Sequence, residues 1–215
     1  MIDSPRFQTI KRQARFNSAD FLQTFTRKPV ASLRTGSDLI TVLLMEAVGH
    51  DIRISTEARL RIGQQFVVMV KRPEAPGELE IPGIVHWANE LTPGEYGIAL
   101  LESLPNACVI GQPDCQRDSL RYDCRVTGQL RWPAADETSA TSVVVNYSRN
   151  GICLQVRSVP AIGSRVQFGF TSGSGNHAIN GFLRWVIGQN GTFLAGCELV
   201  DCLGYEIAGV HISQC

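Results

Sequence analysis

The chain states one structural plan twice. Ile52-Arg53-Ile54 recurs as Ile152-Cys153-Leu154, and Ile62-Gly63 as Ile162-Gly163, each one hundred residues on. Val85-His86-Trp87 is answered by Leu183-Arg184-Trp185, and Tyr96-Gly97-Ile98-Ala99-Leu100 by Ala195-Gly196-Cys197-Glu198-Leu199. Each copy consists of short alternating apolar runs broken by Gly, Pro and Asn, the pattern of antiparallel strands. About six such strands in about a hundred residues predict a small closed barrel. The expected fold is therefore mainly β, with two small antiparallel β-barrels in tandem. Ahead of them, Asn17 or Ser18 can cap a helix whose Phe21, Leu22 and Phe25 share one face, so an N-terminal helical segment is expected.

The second copy reads strand by strand. Asp123–Trp132 alternates around Cys124, Val126 and Leu130, and Thr141–Tyr147 carries Val143-Val144-Val145. Strands follow at Gly151–Val156, Arg165–Phe170, Ile179–Ile187 and Phe193–Val200, with an Asn190-Gly191 hairpin before the last. The tail Leu203–Val210 leans to a short helix. Trp87, Trp132 and Trp185 read as core residues at strand ends. His50 and His86 read as surface or turn histidines without a metal role.

Charge is balanced over the 215 residues, with 20 basic and 20 acidic side chains, but it is unevenly spread. Residues 1–35 carry seven basic groups and two acidic ones, and residues 36–112 carry five and ten. No stripe of Lys and Arg marks a nucleic-acid footprint, so no nucleic-acid partner is expected. No apolar run approaches the length of a membrane span, and the N-terminus lacks a signal-peptide core. The seven cysteines form no Cys-x-x-Cys and no zinc-like spacing with His. Cys124, Cys153 and Cys197 sit in strand patterns and are expected as buried thiols. That usage fits a reducing, cytoplasmic compartment. Hydrolase elbows, P-loops and His-Glu-x-x-His are absent from the sequence, so no catalytic residues are named and no enzyme is expected.

One constellation carries a chemistry. Arg117 and Arg121 stand four apart, and after 24 residues come Asn146, Ser148 and Gly151 in Asn-Tyr-Ser-Arg-Asn-Gly. Two guanidinium forks hold phosphate oxygens bidentately and stack on flat rings. Asn146 and Ser148 alternate along a strand and point to one side, where an amide and a hydroxyl can read a base edge. Gly151 removes a Cβ where the backbone turns or a ligand presses close. Taken singly, an arginine pair or an Asn-x-Ser-x-x-Gly turn is an ordinary surface feature. Their order and gap give them weight.

That Arg-x-x-x-Arg followed by Asn-x-Ser-x-x-Gly resembles the signature of PilZ domains, bacterial receptors for cyclic di-GMP. Gly181-Phe182-Leu183-Arg184-Trp185 and Gly196-Cys197-Glu198-Leu199 resemble that family's last two strands. The likeness is good over about residues 115–202 and reaches residues 36–104 only through the repeat. Residues 1–30, where the helical segment is expected, have no part in the likeness; beyond them it implies a degenerate PilZ-like barrel at 31–104, a linker carrying the arginines at 105–122, and a PilZ domain at 115–215. It implies cyclic di-GMP as ligand, held by Arg117, Arg121, Asn146, Ser148 and Gly151, with Arg125 and Arg149 as further candidates, and no metal or other cofactor. Arg121 and Arg125 also form an Arg-x-x-x-Arg, so either pair can be the working one. The family's arginines directly precede the first strand, which favours Arg117 with Arg121. In the first copy Glu46, Val48 and Asp51 replace Asn146, Ser148 and Gly151, so it is expected to hold structure or a partner rather than ligand. The implied function is a cyclic di-GMP effector that changes interbarrel or partner contacts. A ligand-independent adaptor is the rival, and the resemblance leaves room for a homodimer.

Overall fold

The computed structural model describes residues 30–71, 77–105, 118–133, 138–172 and 175–212. The helical expectation for residues 1–29, Arg117, and most of the linker lie outside the described residues.

The first barrel comprises β1 (Val30–Thr35), β2 (Asp38–Val48), β3 (Asp51–Ser55), β4 (Gln65–Lys71), β5 (Glu78–Ala88) and β6 (Glu95–Leu100). The second comprises β7 (Tyr122–Trp132), β8 (Thr138–Ser148), β9 (Gly151–Val156), β10 (Arg165–Ser172), β11 (Gly175–Gln189) and β12 (Thr192–Val200). Both close, with orders β1-β2-β3-β6-β5-β4 and β7-β8-β9-β12-β11-β10, so strand n of one matches strand n+6 of the other. The fold is mainly β, as the alternation predicts.

The repeat extends to irregularities. Bulges fall between Leu44 and Glu46 in β2 and between Val144 and Asn146 in β8. They fall again between Val85 and Trp87 in β5 and between Leu183 and Trp185 in β11. Gly63 and Gly163 both adopt positive φ, +83° and +90°, and both donate to a β5 or β11 carbonyl, of Val85 and Leu183. A bulge strengthens local twist and re-aims the next side chains. Here it turns Asn146 in one barrel and Glu46 in the other toward the barrel's outer wall.

Each barrel has its own core. Leu33, Val68, Ile54, Ile81 and Ile98 fill the first, and Leu130, Val144, Leu154, Phe168 and Leu183 the second. Asn190 and Gly191 both have positive φ, 46° and 79°, as the expected Asn-Gly hairpin demands. The tail forms a 3-10 helix, Gly204–Ala208, which lays Tyr205 and Ile207 on the second core.

Two expectations need correction. His86 is not at the surface; it is fully buried between the barrels. Trp132 is core, but Trp87 and Trp185 remain partly exposed on the outer wall. Alternation identifies which residues share a strand face, but not which outer face a second barrel will cover.

Candidate ligand-binding site

The Asn-x-Ser-x-x-Gly turn joins β8 to β9. Ser148 pairs with Gly151 and Asn146 with Cys153 across the hairpin. A Cβ on Gly151 would stand 3.0 Å from the Cys197 carbonyl oxygen of β12, so close strand approach demands the glycine. The turn is pinned from the other side, where Gly204 and Leu199 donate to the Arg149 and Asn150 carbonyls at 2.8 and 2.9 Å.

Beside this turn lies a cavity of about 210 Å3. Arg121, Asn146, Ser148, Gly151, Arg184 and Trp185 line it, with Asn150, Cys153, Gly196, Cys197 and Glu198 completing the wall. Four of the expected site residues, Arg121, Asn146, Ser148 and Gly151, therefore come together. Among the described residues, the side chains of Arg121, Asn146 and Ser148 have no hydrogen-bonded or ionic partner. The space suits one base-sized group rather than a whole dinucleotide, whose remainder would lie across the mouth. Arg125 and Arg149 line separate grooves between the barrels and not this cavity.

Residues that the sequence reading did not place at the site add chemistry. The Trp185 indole lies directly over Gly196, where a Cβ would be 2.0 Å from the ring. Its partly exposed face offers a stacking surface for a base. Arg184 pairs with Glu198 on the exposed rim. The signal for Trp185 was present as Gly196, a glycine facing a tryptophan on the neighbouring strand. Cys153 and Cys197 face the cavity as neutral thiols. Burial raises both, Cys197 to about 12, while nearby Arg121 partly offsets the rise at Cys153.

Tyr147 alternates away from Asn146 and Ser148 into the seam between barrels. Its hydroxyl donates to the His86 carbonyl at 3.0 Å, so His86 Nδ1, 2.9 Å from the same oxygen, carries the ring proton. His86 Nε2 then faces Asp51 Oδ1 at 3.9 Å as a lone pair. Tyr205 donates to Asp51 at 2.7 Å, and Tyr122 reaches it at 3.5 Å. Burial raises Asp51 from 3.8 to about 6, against the lowering effects of Tyr205, the Leu120 N–H, Arg149 and Tyr122. Burial also lowers His86 from 6.5 to about 3.

The second barrel is similar to a known domain family. Residues 116–203 match the PilZ domain. The match runs from the segment preceding β7 through β12, and so contains the whole cavity. A comparison with curated protein sequences gives no match. Among solved structures, the chain is similar to K. pneumonia MrkH in complex with c-di-GMP, at 12% identity and TM-score 0.35, covering 85% of this chain and 83% of that one. It is similar to the Bacillus subtilis inhibitor of motility MotI/DgrA at 10% identity and TM-score 0.35, covering 85% and 91%. Escherichia coli YcgR in complex with c-di-GMP shows 9% identity and TM-score 0.34, covering 81% and 76%. Among the described residues of this PilZ-matching chain, no helix is long and apolar enough to cross a membrane.

Proposed function

We propose that the chain is a cyclic di-GMP effector whose ligand sits at the cavity beside the Asn-x-Ser-x-x-Gly turn. The observation that carries this reading is the convergence of Arg121, Asn146 and Ser148 on one cavity within the PilZ match. Arg121 supplies a guanidinium to a phosphate, and Arg117, four residues earlier, supplies the second. Asn146 and Ser148 read a guanine edge, and Trp185 stacks on its face. Glu198 draws Arg184 away from the ligand, so an anionic guest would compete for that cation. Because β8 carries Asn146 and Ser148 on one face and Tyr147 on the other, ligand and interbarrel seam share a strand. Binding then shifts the contacts between barrels or toward a protein partner.

Titration calorimetry with cyclic di-GMP tests the reading. The wild-type chain is expected to bind with heat saturating at or below tens of micromolar ligand. Arg121→Ala is expected to weaken binding by about a hundredfold, equivalent to about 3 kcal/mol. No heat from the wild type at tens of micromolar ligand would sink the reading. A variant that loses ligand yet keeps its cellular effect would favour the adaptor instead.

A further inference from the structure

The first barrel carries a counterpart of the ligand cavity, and it is already occupied. Register fixes the correspondence: Arg53 lies opposite Gly97 and Glu46 as Cys153 lies opposite Gly196 and Asn146. Trp87 and Trp185 each follow the same bulge, and Asp51 takes the place of Gly151. In the second barrel this wall is open among the described residues. In the first, the Tyr122 ring sits on it, 2.5 Å from where a Gly97 Cβ would be. The ring meets His86 edge-on at 4.4 Å and Trp87 at 5.4 Å, and its hydroxyl points to Asp51.

Tyr122 directly follows Arg121, and the same wall grips the chain on both sides of it. Arg53 donates from Nη2 to the Arg121 carbonyl at 2.9 Å, while its Nη1 pairs with Glu46 at 3.0 Å. The Arg53 guanidinium lies 5.4 Å from the Trp87 ring centre and 5.6 Å from that of Tyr122. Tyr122 and Tyr205 donate to Asp51, and Trp87 donates to the Asp123 carbonyl at 2.8 Å. The backbone of residues 121 and 123 is thus held by one barrel while the Arg121 side chain serves the cavity of the other.

We propose that the degenerate wall of the first barrel is a socket for the arginine-bearing segment, with Arg53 and Asp51 as positioning residues for Arg121. This rests on the proposed binding of cyclic di-GMP. The replacements that removed base recognition, Asn to Glu at 46 and Gly to Asp at 51, are the ones that build the socket. Glu46 orients Arg53, and Asp51 gathers Tyr205 and Tyr122. Arg121 is then presented without the entropy cost of ordering its backbone when ligand arrives. Residues 121–123 are therefore not a flank that stays loose until ligand binds.

The test pairs amide hydrogen exchange with calorimetry on the full chain. Arg53→Ala is expected to speed exchange at Arg121, Tyr122 and Asp123 at least tenfold and to weaken cyclic di-GMP about tenfold. Exchange within β10 and β11 should stay at the wild-type rate. Arg53→Lys, which keeps charge but cannot fork to Glu46 and the carbonyl together, is expected to recover only part of the affinity. Arg34→Ala, which breaks an exposed pair with Glu80, should change neither readout. Wild-type exchange at 121–123 in Arg53→Ala overturns the socket. So does faster exchange spread evenly over both barrels, or faster local exchange with unchanged affinity. If the wild type binds no cyclic di-GMP, the proposed ligand fails, and the exchange arm alone still decides whether the socket holds the segment.

Discussion

Gly196→Ala is expected to abolish the ligand cavity while leaving the two barrels docked. The new methyl would lie 2.0 Å from Cε2 and Nε1 of Trp185, so the indole must swing off the wall it forms. Overpacking of this kind costs about 1–3 kcal/mol in stability. The loss of the stacking face and of the wall's shape should weaken cyclic di-GMP by about a hundredfold or more. Thermal unfolding should remain a single transition at lower temperature. The same substitution at the equivalent place in the first barrel should act differently. In Gly97→Ala the methyl strikes the Tyr122 ring at 2.5 Å and approaches His86 Nε2 at 3.1 Å. That pushes the second barrel out of its seat, so unfolding should broaden or split into two transitions. Calorimetry and scanning calorimetry on the two variants distinguish these outcomes. Wild-type affinity in Gly196→Ala would remove Trp185 from the site.

Asp51→Asn and His86→Gln are expected to tilt the pH dependence of stability in opposite directions. Unfolded Asp releases its proton near 3.8, whereas folded Asp51 keeps it to about 6. The folded state therefore binds more protons between those values, and this group makes stability fall as pH rises. Unfolded His holds a proton below 6.5, which folded His86 refuses down to about 3. There the unfolded state binds more protons, and this group makes stability rise with pH. Each slope reaches about 1.4 kcal/mol per pH unit, and between about pH 4 and 6 they oppose one another. Removing Asp51's proton should leave a rising profile relative to wild type, and removing His86's a falling one. The groups facing this pair are Tyr122, Tyr147, Tyr205 and Arg149; burial raises the three phenols, which stay protonated throughout that range. Urea midpoints at half-unit pH steps give the profiles. If both variants run parallel to wild type, the pair does not titrate as its burial implies.

Much of this architecture was legible in the chain. The hundred-residue echo correctly placed two barrels, because strand alternation and turn glycines such as Gly63 and Gly163 are local demands met by local residues. The β8–β9 turn and the Asn190-Gly191 hairpin were readable for the same reason. The seam was not readable. Tyr122, Tyr147 and Tyr205 look like ordinary strand or helix residues, and nothing in the sequence says that one barrel's outer wall will receive them. His86 was misread on the same account, since its burial comes wholly from the partner barrel. Trp185 was read as core because a tryptophan in a strand is usually packed, and its exposure depends on the bulge after Leu183. Arg149 sits inside the motif, but the direction of a turn residue is set by the turn's own twist, which periodicity does not report.

The three tyrosines also limit how this protein can be dissected. Excising the C-terminal half would strip Tyr122, Tyr147 and Tyr205 of their cover and leave a contiguous aromatic surface facing water, a liability for solubility. The truncated fragment would also lose the anchor that sets the direction of its own arginine. The smallest unit that keeps the shared tyrosines covered is therefore the pair of barrels.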